Sequence, residues 1–172
     1  GKSTLMARIA TWLERDGQNV IQTREPGGTE LAEKIRAILL GDEHTELCDQ
    51  AELLLLFAAR AQHLEELIRP TLAKGDTVLC DRFTDATWAY QGGGRKMPLD
   101  LIASLEDMVH GDLQPNLTLL LDLPVEVGLQ RAANRSQADR IEQEPVTFFE
   151  RVRLAYLNRA QEQADRLAIV DA

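Results

Sequence analysis

Leu5, Ile9, Trp12 and Leu13 recur at three- and four-residue spacing, the period of an amphipathic helix, and Gly17 supplies a left-handed end for it. Residues 19–23 form a short β-prone run, broken by Arg24-Glu25-Pro26-Gly27-Gly28. Thr29 then offers a hydroxyl to cap an amphipathic helix reaching Leu40. A longer helix is predicted over residues 49–74, kinked near its end by Pro70 and closed by Gly75. Residues 77–80 read as a strand, 98–109 as a helix, 117–123 as an unbroken apolar strand and 125–133 as a helix. Residues 134–145 are polar and lack a period, so a mobile loop is expected there. A long helix over 147–166 and a strand over 167–170 follow. The strand runs are continuously apolar instead of alternating. That predicts helices on both faces, and hence a parallel α/β sheet. Neither a repeat nor a linker interrupts the pattern, so residues 1–172 read as one domain. The chain opens on Gly1-Lys2-Ser3-Thr4 without an initiator Met and stops just past a strand, so it reads as the middle of a longer protein, with a first strand ahead of Gly1.

Composition narrows the functional classes. Among 172 residues there are 28 acidic and 19 basic side chains, a net charge of −9, which argues against nucleic-acid or membrane-surface binding. Aromatic residues, at 5%, are too sparse for a base-stacking platform. The longest apolar stretch, around residues 53–59, ends at Arg60, short of a membrane span. Cys48 and Cys80 are isolated, so neither zinc nor a disulfide framework is expected, and a reducing, cytoplasmic setting is. His44, His63 and His110 lack a Ser or Cys partner at informative spacing and read as surface or helix-end residues.

The chemistry gathers at strand ends. Ligands of an open parallel sheet bind beyond the carboxyl ends of its strands. Here three strands run into charge at that edge: Arg24-Glu25, Asp81-Arg82 and Asp122. Arginines and carboxylates converging there suit an anion together with a metal. Gly1-Lys2-Ser3-Thr4 at a helix start is the second half of a phosphate-binding loop. In such a loop backbone N–H groups cradle an anion, the Lys reaches β- and γ-phosphates and the Ser hydroxyl binds Mg²⁺. Ser3 acting as a simple helix cap is the plainer alternative.

Arg60 lies inside the apolar stripe of Leu53, Leu56, Phe57, Leu64 and Leu67. A guanidinium there needs a partner. The partner is either an internal carboxylate, Glu52 or Asp122, or a ligand phosphate gripped by the arginine fork. Phe57 and Leu56, read as sharing that face, would then flank a flat base. Arg131, Arg135 and Arg140 make a local basic excess in an acidic chain. They read either as a solvated helix end pairing with Asp139 or Glu142, or as a lid over residues 134–145 whose arginines close on transferring phosphates.

With GKST, TREPGGT, LFAAR, CDRF, AYQGGGR and RIEQE in this order, the chain resembles the bacterial thymidylate kinases, P-loop nucleoside monophosphate kinases, over essentially its whole length. The resemblance implies a P-loop α/β fold, a five-stranded parallel sheet of order 2-3-1-4-5 flanked by helices, whose first strand this segment lacks. It implies transfer of the ATP γ-phosphoryl to dTMP with Mg²⁺, in a homodimer. It assigns Arg24, Arg60 and Arg82 to the dTMP phosphate, and Phe57, Thr87, Tyr90 and Gln91 to the nucleoside. Gln91 would read the thymine edge, and Tyr90 would fill the space of a ribose 2′-hydroxyl. Gly1, Lys2, Ser3 and Thr4 would hold ATP, Ser3 and Asp81 the metal, and Lys2, Asp81, Arg131, Arg135 and Arg140 would serve catalysis. One departure stands out: many relatives carry the stacking Phe four residues before the arginine, where this chain has Leu56. A kinase for another nucleoside monophosphate, or a P-loop nucleotide switch, are the competing expectations. The arginine cluster weighs against both a free nucleoside and a switch without a second anion site.

Overall fold

The computed structural model describes residues 2–41, 47–133 and 139–172. Helix α1 (Lys2–Arg15) is followed by strand β1 (Val20–Arg24), helix α2 (Glu30–Leu40) and helix α3 (Asp49–His63). Thr29 caps α2 as its hydroxyl implies, accepting from the Ala32 N–H at 3.3 Å. The predicted 49–74 helix is instead three pieces: α3, a π-helical turn at Leu64–Ile68 and a short α4 (Arg69–Ala73). The widened turn sits next to Pro70, which cannot donate a backbone hydrogen bond to the preceding turn. Strand β2 (Thr77–Asp81) leads into α5 (Thr84–Thr87) and a π-helical segment, Trp88–Gly94, that the periodicity gave no sign of. Helix α6 (Leu99–Val109), strand β3 (Thr118–Asp122), α7 (Val125–Ala133), α8 (Val146–Glu162) and strand β4 (Leu167–Asp171) complete the order. No helix among the described residues is long and apolar enough to cross a membrane.

All strand pairing is parallel, as the apolar runs require. β1 pairs with β2, placing Arg24 opposite Asp81, and β3 pairs with β4, placing Asp122 opposite Asp171. Among the described residues no strand joins β2 to β3. Burial on both faces does not hold, however. β2 is half-buried throughout and β4 is exposed beyond Leu167, because every strand of a two-stranded ribbon is an edge.

Three apolar clusters sit around the ribbons. Ala32, Ile35 and Leu39 of α2 pack on Ala59 of α3; Leu53 and Phe57 pack on Met97 and Ile102; Ala89 packs on Phe148 and Val152 of α8. Gly93 and Gly94 explain how closely α8 approaches. A Cβ on Gly94 would lie 2.5 Å from the Phe148 ring, and one on Gly93 2.5 Å from Ala155 Cβ. The helix and the π-helical segment therefore lock together only because those side chains are missing.

Candidate active site

The site grows from the end of β1. The Glu25 N–H donates to the Asp81 carbonyl at 3.0 Å, extending the ladder one residue past the strand. The loop then turns through Gly28 at φ +88°, where a Cβ would fall 2.5 Å from both His63 Nε2 and Thr23 Oγ1. Only glycine allows the loop to lie on that histidine. Helix α2 clamps the loop from outside. Glu33 accepts from Arg24 and from the Gly28 N–H, both at 2.9 Å, and Arg36 donates to the Pro26 carbonyl at 2.8 Å. The Arg24 guanidinium, and next the Gly28 N–H, hold the Glu33 carboxyl below its ordinary value.

Beneath the loop lies a buried charged array. Arg60, 3% exposed, donates from Nε to Glu25 at 2.7 Å and from NH2 to Thr87 Oγ1 at 3.1 Å. Its partner is thus Glu25, not the Glu52 or Asp122 that the helix pattern offered, because α3 packs against the end of β1. Among the described residues its buried NH1 has no hydrogen-bond partner. Such an orphaned donor costs stability on its own, and it suits an incoming anion. Phe57 lies flat under this group, 4.8 Å from ring centre to guanidinium, and Phe83 lies 5.5 Å away. Leu56 does not share that surface: it packs toward α2, while Phe57 packs toward α6. Consecutive helical residues point about 100° apart, and here that angle separates two clusters.

His63 is fully buried, contrary to the surface reading. Its Nδ1 lies 3.1 Å from Glu25 and its Nε2 2.7 Å from Thr23 Oγ1. His110 is buried as well, bonding Thr84 Oγ1 and the Leu113 carbonyl. His44 lies outside the described residues.

At the end of β2, Lys2 Nζ donates to Asp81 at 2.7 Å. Desolvation, and then the Arg82 charge, hold the Lys2 amine below its ordinary value, while Asp81 pulls it back up. Arg82 takes a left-handed backbone, φ +70°, which throws its guanidinium over Tyr90 at 4.8 Å from the ring centre. Ser3 and Thr4 stand exposed in the first turn of α1. Gly1 lies outside the described residues.

The sequence pattern offered a second carboxylate only as a partner for Arg60. Glu52, 1% exposed in the first turn of α3, accepts from Gln91 Nε2 at 2.7 Å and from Arg95 at 3.2 and 3.3 Å. Arg140 also donates to it, and through Nε to the Leu39 carbonyl at 3.0 Å. Arg140 is therefore no free lid cation and pairs with neither Asp139 nor Glu142. Hydrogen bonds from Gln91, Arg140 and Arg95 outweigh burial and keep the Glu52 carboxyl below its ordinary value. The clue was available: Glu52, Arg60 and His63 fall at one helical spacing within an apolar stripe. Tyr90 stands edge-on to Phe148 and Tyr156. Arg131 is exposed at the end of α7, and Arg135 lies outside the described residues.

The end of β3 is different. Asp122 is gripped by both Arg153 Nε and NH2, at 2.7 and 2.8 Å. The three charged strand ends thus do not form one cluster. Arg24-Glu25 and Asp81-Arg82 are joined; Asp122 belongs to the other ribbon.

A profile of the thymidylate kinase family matches residues 1–172. The chain is 58% identical over its full length to a thymidylate kinase of Pseudomonas entomophila, covering 82% of that protein. To one of Ectopseudomonas mendocina it is 57% identical, with the same coverage. In three dimensions it matches the crystal structure of thymidylate kinase from Ehrlichia chaffeensis with a TM-score of 0.80. That match has 32% identity and covers 99% of this chain and 84% of the other.

Proposed function

This chain belongs to the thymidylate kinase family, and from that premise we propose how its residues divide the work of the reaction. It is a nucleoside monophosphate kinase that phosphorylates dTMP to dTDP. The observation that supports the residue assignments is the buried Arg60 NH1, a cationic donor with no partner among the described residues, next to a loop bonded to the Lys2–Asp81 strand end.

In this reading Arg60, with Arg24 and Arg82, takes the dTMP phosphate, and Glu25 fixes the Arg60 fork from behind. Thr87, Tyr90 and Gln91 line the nucleoside, with Phe57 supporting the Arg60 face. Tyr90 occupies the space that a ribose 2′-hydroxyl would need. Residues Gly1, Lys2, Ser3 and Thr4 take the ATP phosphates at the start of α1, where free N–H groups and the helix dipole favour anions. Asp81 and Ser3 are hard oxygen donors suited to Mg²⁺, which keeps most of its shell as water and phosphate oxygen. Once bound there, the ion screens charge on the transferring group.

A dTMP phosphate oxygen attacks the γ-phosphorus, forming a new P–O bond. The bond from γ-phosphorus to the bridging oxygen breaks, and its electron pair leaves on ADP. The nucleophile is already anionic, so the site needs cations and alignment more than a base. Lys2 neutralises the transferring group, and Arg131 and Arg135 serve as its further catalytic cations. Arg140 anchors the lid's root on Glu52. A cytoplasmic homodimer completes the proposal.

The test compares ADP formation with dTMP, dUMP, dGMP and thymidine, and titrates dTMP without ATP. We expect dTMP to be preferred and to bind alone. Preference for thymidine, or no binding of dTMP without ATP, would refute the second anion site.

A further inference from the structure

Glu52 has no part in the transfer itself, yet the base side of the site converges on it. We propose that Glu52 is a specificity-determining positioning residue: by fixing which way the Gln91 amide points, it admits a 4-keto pyrimidine with N3–H and rejects a 4-amino pyrimidine. The proposal rests on the reading of Gln91 as the base contact.

The argument concerns donors and acceptors. A primary amide is nearly symmetric in shape, so an unrestrained glutamine turns over about its last torsion and exchanges C=O for NH₂. An ionised carboxylate only accepts. Glu52 Oε1 lies 2.7 Å from Gln91 Nε2, so the amide nitrogen must face it. The flipped amide would set oxygen against oxygen in a buried place, losing a charge-assisted bond and adding repulsion. Glu52 keeps its charge because Arg95 and Arg140 share its oxygens.

One N–H of Gln91 is thereby spent on Glu52. The other lies beside Oε1 and gives an amide edge with a fixed order, one acceptor and one donor. That order pairs with N3–H and O4 of thymine. Cytosine offers a lone pair at N3 and an amino group at C4, opposing both positions. Without Glu52 the amide turns over and reads either base. A glutamine alone cannot tell the two apart; a glutamine pinned by a carboxylate can.

The experiment measures kcat/KM for dTMP and for 5-methyl-dCMP, which differ only at N3 and C4, in the wild type, Glu52→Gln and Gln91→Leu. For Glu52→Gln we expect the ratio of the two to fall by about 10–100-fold, through a gain for 5-methyl-dCMP, with KM for ATP unchanged. Equal losses on both substrates with the ratio kept would make Glu52 a structural residue and overturn the proposal. A ratio insensitive to Gln91→Leu would remove Gln91 from base reading, and the proposal with it. A ratio lost in Gln91→Leu but kept in Glu52→Gln would leave the base reading intact and refute the role of Glu52 alone. Should Glu52→Gln fail to fold, Glu52→Asp keeps the charge beside the arginines but draws the carboxylate one methylene away from Nε2. The same fall in ratio is expected from it, and an unchanged ratio there overturns the proposal equally.

Discussion

The two parallel ribbons end in the same kind of residue and put it to opposite use. β2 ends in Asp81 and β3 in Asp122, each an aspartate closing an apolar run. Asp122 is closed off by both nitrogens of the Arg153 fork, its charge consumed within the protein. Among the described residues, the Asp81 side chain is bonded by the tip of Lys2, a side chain at a helix start that is itself 45% exposed. At the neighbouring strand end, Arg60 keeps a buried donor without a partner among the described residues. A strand-end carboxylate marks a site when its surroundings leave charge unbalanced, and it marks a fold contact when a neighbour completes it.

The largest effect expected from breaking this contrast is at Arg60. Arg60→Leu removes the cation from a buried carboxylate, Glu25, so stability should fall by about 3–5 kcal/mol, read by chemical denaturation. Affinity for dTMP should fall by about 2–4 kcal/mol. Adding Glu25→Gln should restore much of the stability and none of the affinity. Recovery of binding in the double variant would remove Arg60 from the phosphate.

Lys2→Ala comes next. Turnover should drop by about 10²–10³-fold, the usual cost of losing one preorganised donor to the transferring group, with dTMP affinity largely kept. Equal loss of dTMP affinity would mean that the two phosphate sites have been confused.

Acid should separate the two halves by smaller amounts. Glu52, and also Asp85, whose burial is overcome by Arg166 and Arg159, have folded pKa values below their ordinary ones. Their stabilisation is fully present above about pH 4–4.5 and is lost as pH falls through the lowered folded values. Asp122 titrates in the same direction, but its pair is more open to solvent. Salt near 1 M should therefore weaken the Asp122 contribution and spare that of Glu52. An acid unfolding curve that shifts equally in Glu52→Gln and Asp122→Asn under salt would erase the distinction.

The smallest effect is expected at Arg153. Arg153→Ala frees Asp122 yet should leave turnover and dTMP affinity unchanged in a steady-state assay. A clear loss would bring the second ribbon into the site.

Much of this molecule is legible in the order of its residues. Continuous apolar runs bounded by Gly, Pro and charge give parallel strands, and a hydroxyl at Thr29 marks where α2 starts, because those signals act over a few residues. The candidate phosphate and base contacts were likewise visible as Arg24, Arg60, Asp81-Arg82 and the Ala89–Arg95 run. What the sequence could not decide is which charge meets which. Arg60 pairs with Glu25, 35 positions away, and Arg140 with Glu52, 88 away. His63 is buried on the same carboxylate as Arg60, and the π-helical segment at residues 88–94 packs on α8 through Gly93 and Gly94. Such choices depend on packing between distant elements, where desolvation makes an unpaired charge costly and geometry leaves only one partner within reach.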